Sequence, residues 1–133
     1  MKSAIYTVNA GPQVLVAGQQ IDLGNVVRRF GCNTMLNGDA IIISGQGYYH
    51  ADANISINGT AGGTATITLL KDGVAVPGAV ATALLANGSV LTLGLHALLR
   101  EACPCADSAS ALTLRLDGVG ATITNVAFIV EKV

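Results

Sequence analysis

Charge is scarce in this chain. Asp, Glu, Lys and Arg supply 11% of its 133 residues, where an ordinary soluble domain carries about 25%. Seven Lys and Arg stand against eight Asp and Glu, a formal net charge of −1. That leaves no electrostatic footprint for nucleic acid or for an anionic membrane surface, and neither is expected as a partner. Long apolar runs are missing too. The longest, "GAVATALLA" from Gly78 to Ala86, is ended by Asn87-Gly88, far short of the ~20 residues a membrane span needs. Behind Lys2, any apolar segment is interrupted by Thr7, Asn9, Gly11, Pro12 and Gln13, so no secretory signal peptide is expected. Low-complexity tails and collagen-like Gly-X-Y runs are absent from the sequence as well.

What the chain does have is apolar side chains, 51% of the total. Its length fits one domain over 1–133, able to bury roughly 65–70% of the surface its unfolded form exposes. Too few charges to cover a monomer, and no membrane span, leave one expectation: a subunit that buries much of its surface against copies of itself.

The local signals are those of strands. "ATITLLKDGVAVPG" (Ala65–Gly78) and "ALTLRLDGVGATIT" (Ala111–Thr124) alternate apolar and polar residues, then meet Asp72-Gly73 and Asp117-Gly118. Asp-Gly tolerates positive φ and suits a tight turn, so both phrases predict hairpins. Sixteen Gly and recurrent Asn/Asp-Gly pairs punctuate the rest, and Pro is confined to Pro12, Pro77 and Pro104. Strands are expected at about 3–9, 13–17, 20–28, 40–44, 47–58, 64–71, 74–77, 80–84, 89–99, 110–117 and 121–132. Leu91, Leu95, Leu98 and Ala102 also have helical spacing, but Gly94 and the β context favour a strand there. The fold class predicted is all-β, an antiparallel two-sheet sandwich.

Chemistry-bearing residues are sparse. In "YYHADANISIN", Tyr49, Ala51, Ala53, Ile55 and Ile57 share one face, and Tyr48, His50, Asp52, Asn54, Ser56 and Asn58 the other. His50, Asp52 and Asn54 could form a metal or acid–base group. With no third and fourth strong ligand nearby, a wet or subunit-facing surface is the reading adopted. His96 is the other histidine, Ser occurs in no nucleophile-elbow pattern, and "DGVGAT" has too few Gly for a phosphate loop. No catalytic residue, metal or cofactor is expected, and the chain is read as not an enzyme. Cys32, Cys103 and Cys105 leave three alternatives open: reduced thiols, a bridge to Cys32 or between subunits, or a partial metal site at Cys103-Pro104-Cys105. Two sequons, at Asn58 and Asn87, are expected to serve as turns.

The order of "RRFG" (Arg28–Gly31), "DAIIISGQGYY" (Asp39–Tyr49), "LLKDGVAVPG" (Leu69–Gly78) and "VAFIVEKV" (Val126–Val133) resembles a known family. It is the C-terminal jelly-roll domain of the collagen-like glycoproteins on the spore surface of spore-forming Firmicutes, itself similar to the complement/tumour-necrosis-factor superfamily. The resemblance runs from about Gln20 onward. It implies a jelly roll that trimerises about a threefold axis and has no enzymatic activity. This chain carries no collagen-like stem, and free-standing modules of the kind resemble phage capsid-decoration or fibre-head proteins.

The last strand is apolar on both parities, as a central strand covered on both faces would be. Tyr48, His50, Val126, Phe128 and Val130 are therefore the candidates for a contact between subunits. The function expected is a homotrimeric module that decorates or attaches a virion or spore surface, made in the bacterial cytoplasm and partnered by itself and by capsid or spore-coat proteins. The alternative is an adhesin that binds a surface glycan or receptor through end loops such as "NGTAGGT" (Asn58–Thr64) or "ACPCADS" (Ala102–Ser108).

Overall fold

The computed structural model describes residues 2–101 and 109–133, and the regular elements among them are strands. In chain order these are β1 (Ala4–Asn9), β2 (Gln13–Leu15), β3 (Asn25–Phe30), β4 (Thr34–Asn37), β5 (Ala40–Ser44), β6 (Gly47–Gly59), β7 (Gly63–Lys71), β8 (Val74–Leu85), β9 (Val90–Glu101), β10 (Ala109–Gly118) and β11 (Ala121–Lys132). They form two antiparallel sheets. Sheet A runs β3-β1-β11-β6-β9, with β2 continuing the β1 edge of β11; sheet B runs β4-β5-β10-β7-β8. The predicted all-β sandwich is the fold observed.

Alternation decides which side chains meet between the sheets. On β6, Tyr49, Ala51, Ala53, Ile55 and Ile57 are fully buried, and Ala51, Ala53 and Ile55 stand opposite Val130, Phe128 and Val126 of β11. Sheet B answers with Ile41, Ile43, Ile67, Leu69, Leu112, Leu114 and Leu116, also fully buried. Small alanines in β6 leave room beside the Phe128 ring, which keeps a core with few aromatics filled. The segment read as a possible helix, Leu91–Ala102, is β9 as far as Glu101, with Leu95, Ala97 and Leu99 inward.

The two Asp-Gly phrases part company. Asp72 and Gly73 carry φ of 53° and 81° and close the β7–β8 hairpin, as expected. Asp117-Gly118 closes no hairpin: β10 pairs with β5 and β7, whereas β11 pairs with β1, β2 and β6. Val119 and Gly120 thus carry the chain from sheet B to sheet A. A Cβ on Gly118, whose φ is 88°, would lie 2.1 Å from the Thr64 carbonyl oxygen. The second phrase needs its Gly for that close approach.

Three boundaries also differ from expectation. The strand expected at 20–28 begins at Asn25, because Gly24 must turn against β1; a Cβ there would sit 2.2 Å from the Val8 oxygen. Before it, Gln20 bridges Arg115, and Ile21 and Leu23 enter the core. β4 was not anticipated, being a short edge strand that folds onto β5. The strands expected at 74–77 and 80–84 are one element, interrupted in register where Val76–Ala79 bulge opposite Leu69. Pro77, lacking an N–H, occupies that interruption.

Candidate functional site

The face of sheet A turned away from the core collects the polar set of β6 with its neighbours. Register aligns Tyr6, Ile129, Asp52 and His96 in one row across β1, β11, β6 and β9, and Ala4, Glu131, His50 and Leu98 in the next. Tyr48 lies opposite Arg100 in a third. Alternation could not reveal that Asp52 has His96 for a neighbour, because that pairing joins residues far apart in the chain.

His50 Nδ1 is 3.5 Å from Glu131 Oε1, both side chains being about half exposed. The Arg100 guanidinium stands 6.0 Å from the Tyr48 ring centroid. Ser56 and Thr92 approach to 3.4 Å between hydroxyl oxygens. The grouping of His50, Asp52 and Asn54 is therefore a shared face whose members engage different neighbours. Among the described residues, no three His, Cys, Asp or Glu come together as metal ligands.

Of the five contact candidates, Tyr48 and His50 lie on this face, Tyr48 with 51% of its surface exposed. Val126, Phe128 and Val130 do not: all three point into the core at 0% exposure. Their parity is fixed by pairing with Ile55, Ala53 and Ala51, so they have no surface to offer a neighbour. The other parity of β11 supplies half-buried Ala127 and exposed Ile129. Two further apolar residues stand on this face: Leu98, 65% exposed, and Ile129, 41% exposed. The outward parity of β9, with Leu98 between His96 and Arg100, held the signal.

At the end of the sandwich where β9 finishes, the two sheets are latched by a buried carboxylate. Glu101 Oε1 accepts from Ser110 Oγ at 2.7 Å and pairs with Lys71 Nζ at 2.9 Å. Lys71 also donates to the Arg100 carbonyl. Nearby, burial and then the Glu101 charge raise the Tyr49 phenol above its ordinary pKa, and its hydroxyl is shared between the Ser44 and Gly45 carbonyls. A cleft of about 300 Å³ opens here between β8 and β9, lined by Lys71, Val74, Val76, Pro77, Leu98 and Arg100 among others.

Of the two end loops named for the adhesin reading, "NGTAGGT" runs from the end of β6 into the start of β7, and 102–108 lie outside the described residues. Cys32 is exposed between β3 and β4; Cys103 and Cys105 lie outside the described residues. Of the two sequons, Asn87-Gly88 forms the β8–β9 turn, but Asn58 lies within β6.

No protein-family model matches the chain, and no curated protein does. Solved structures do. Murine APRIL superposes with a TM-score of 0.71 at 11% identity, over 100% of both chains. The globular domain of zebrafish complement 1qA gives 0.69 at 9% identity, covering 96% of this chain and 94% of its own. The fold is a complement/tumour-necrosis-factor-like jelly roll. PRD1 vertex protein P5 shares it, with a TM-score of 0.64 at 14% identity over 98% and 95% of the two chains. At such identities, the jelly-roll fold is what the likeness establishes, and the use made of it must be argued from the faces of this molecule.

Proposed function

We propose that this jelly roll is a non-enzymatic structural module that associates in threes through the outward face of sheet A and decorates or attaches a larger surface assembly. The observation that carries the reading is the contrast between the two central strands. Outward from sheet B, β10 presents Ala111, Thr113 and an Arg115–Asp117 ion pair of 2.8 Å, groups suited to water. Outward from sheet A, β11 presents Ala127 and Ile129 ahead of Glu131, flanked by Tyr48 and Leu98. Exposed apolar area of that kind marks an interaction surface.

The edges support the same side. Arg28 and Arg29 lie on edge strand β3, β4 is short, and β8 carries Pro77 and a bulge, devices that discourage stray strand pairing. β9 runs from Val90 to Leu99 without proline or formal charge before Arg100 and Glu101, as an edge covered in the assembly can. For the particle, the likeness to a vertex protein favours a virion over a spore.

Light scattering on the unmodified protein at micromolar concentration is expected to give three times the 13.4 kDa chain mass. A stable monomer would overturn the reading. Placement on a particle is tested by sedimenting virions or spores from the source: the protein should pellet with them, and its retention in the supernatant would refute the decorating role.

A further inference from the structure

The chain holds three Asn-Gly pairs, Asn37-Gly38, Asn58-Gly59 and Asn87-Gly88, and their glycine amides are not equally free. An Asn side chain is labile before Gly because the Gly nitrogen can attack its Cγ with no Cβ in the way. At two of the pairs that nitrogen is already engaged. Gly59 N donates to the Ser89 carbonyl at 2.8 Å, and Gly88 N to the Gly59 carbonyl at 2.9 Å. Gly59 is also buried, opposite Ala121 of β11.

The third pair stands apart. Asn37 ends β4 and pairs with Ala40 across a turn of Gly38 and Asp39. The ladder bonds that close such a hairpin belong to Asn37 and Ala40, which leaves the Gly38 N–H outside them. Asn37 and Gly38 are both exposed, and Gly38, with φ of 62°, has open space where a Cβ would be. The turn is fastened from its other side, where the Asp39 carbonyl accepts from Gln20 Nε2 at 3.0 Å. Among the described residues, none accepts from the Gly38 N–H and none bonds the Asn37 carboxamide.

We propose that Asn37 is a modification site, where the folded chain deamidates itself to aspartate and isoaspartate. The Gly38 nitrogen bonds to Asn37 Cγ and gives its proton to water; the carboxamide nitrogen takes a proton from water and leaves as ammonia, closing a succinimide. Water then opens that ring at one carbonyl or the other. The net change is a water consumed and an ammonia released, with nothing oxidised or reduced. Either product sets a new carboxylate at the neck of the turn, close in sequence to Asp39, which already bears the Asp22 charge. Isoaspartate also lengthens the backbone there and spoils the Asn37–Ala40 pairing on which β4 ends. The site is independent of the oligomer, because it needs residues of one chain alone.

The test is a time course of the full chain at mildly alkaline pH, folded and in guanidinium. Cleavage before Asp then places the three Asn in separate peptides for mass spectrometry, and a protein-isoaspartate methyltransferase marks the isoaspartate. Each deamidation rate, read as a gain of about 1 Da, is divided by the rate of the same peptide in the unfolded chain. That ratio is expected to be at least about tenfold higher at Asn37 than at Asn58 or Asn87, whose glycine amides must first break a hydrogen bond by local opening. Equal ratios at the three sites, a leading ratio at Asn58 or Asn87, or an Asn37 that stays intact in the folded chain while it converts in guanidinium would each overturn the assignment.

Discussion

Phe128 and Ile129 are consecutive and both apolar, yet one has no exposed surface and the other is 41% exposed. Sequence alone made both available to core or neighbour; pairing with β6 separated them. Phe128→Asp should cost about 4 kcal/mol or more, since an unpaired charge would replace a filled core site, and its denaturation midpoint should collapse. Gly118 and Gly73 make a second pair. Both have positive φ, but a Cβ at Gly73 meets nothing within 4 Å, whereas at Gly118 it meets the Thr64 oxygen. Gly73→Ala should therefore cost about 1 kcal/mol and Gly118→Ala at least about 2 kcal/mol, a difference that thermal melting resolves. Asp39 adds a pH effect. Partial desolvation, then the Asp22 charge and the hydrogen bond that the protonated Asp39 carboxyl donates to that side chain, raise its pKa. The folded chain thus holds the proton more tightly than the unfolded one, and this contribution to stability is lost as pH rises from about 4 through the raised value. Asp39→Asn should flatten that part of the stability–pH curve, with a gain at neutral pH below about 1 kcal/mol because the site is exposed.

At the scale of elements, most strands were legible from period-2 alternation, clearest in β6, β7 and β10. What alternation could not supply was the partner of each strand. Asp-Gly looks the same whether the chain folds back on itself at Asp72-Gly73 or crosses between sheets after Gly118; the difference lies in Thr64, more than fifty residues earlier. The Lys71–Glu101–Ser110 latch was hidden for the same reason, its members coming from β7, β9 and β10. It ties the sheets where β9 ends. Lys71→Met would leave Glu101 buried without its cation and should destabilise by about 3 kcal/mol. A lowered urea midpoint at unchanged slope is the expected readout.

For the whole molecule, composition was informative because it posed a question of area: a chain with 11% charged residues has to place its apolar surplus somewhere. The sandwich takes much of it, including Val126, Phe128 and Val130, which sequence reasoning had offered to a neighbour. What remains outward lies on both sheets, Tyr48, Leu98 and Ile129 on sheet A and Met35, Val80 and Leu84 on sheet B, and that distribution appears only when the strands are assembled. The central claim is that copies meet through sheet A and leave sheet B free. Light scattering over a dilution series of Ile129→Asp and Met35→Asp tests it directly, because both side chains point outward and are comparably exposed, at 41% and 48%, on sheets A and B respectively. The account predicts that Ile129→Asp scatters as a folded monomer and Met35→Asp as a trimer; a trimeric Ile129→Asp beside a monomeric Met35→Asp would contradict it.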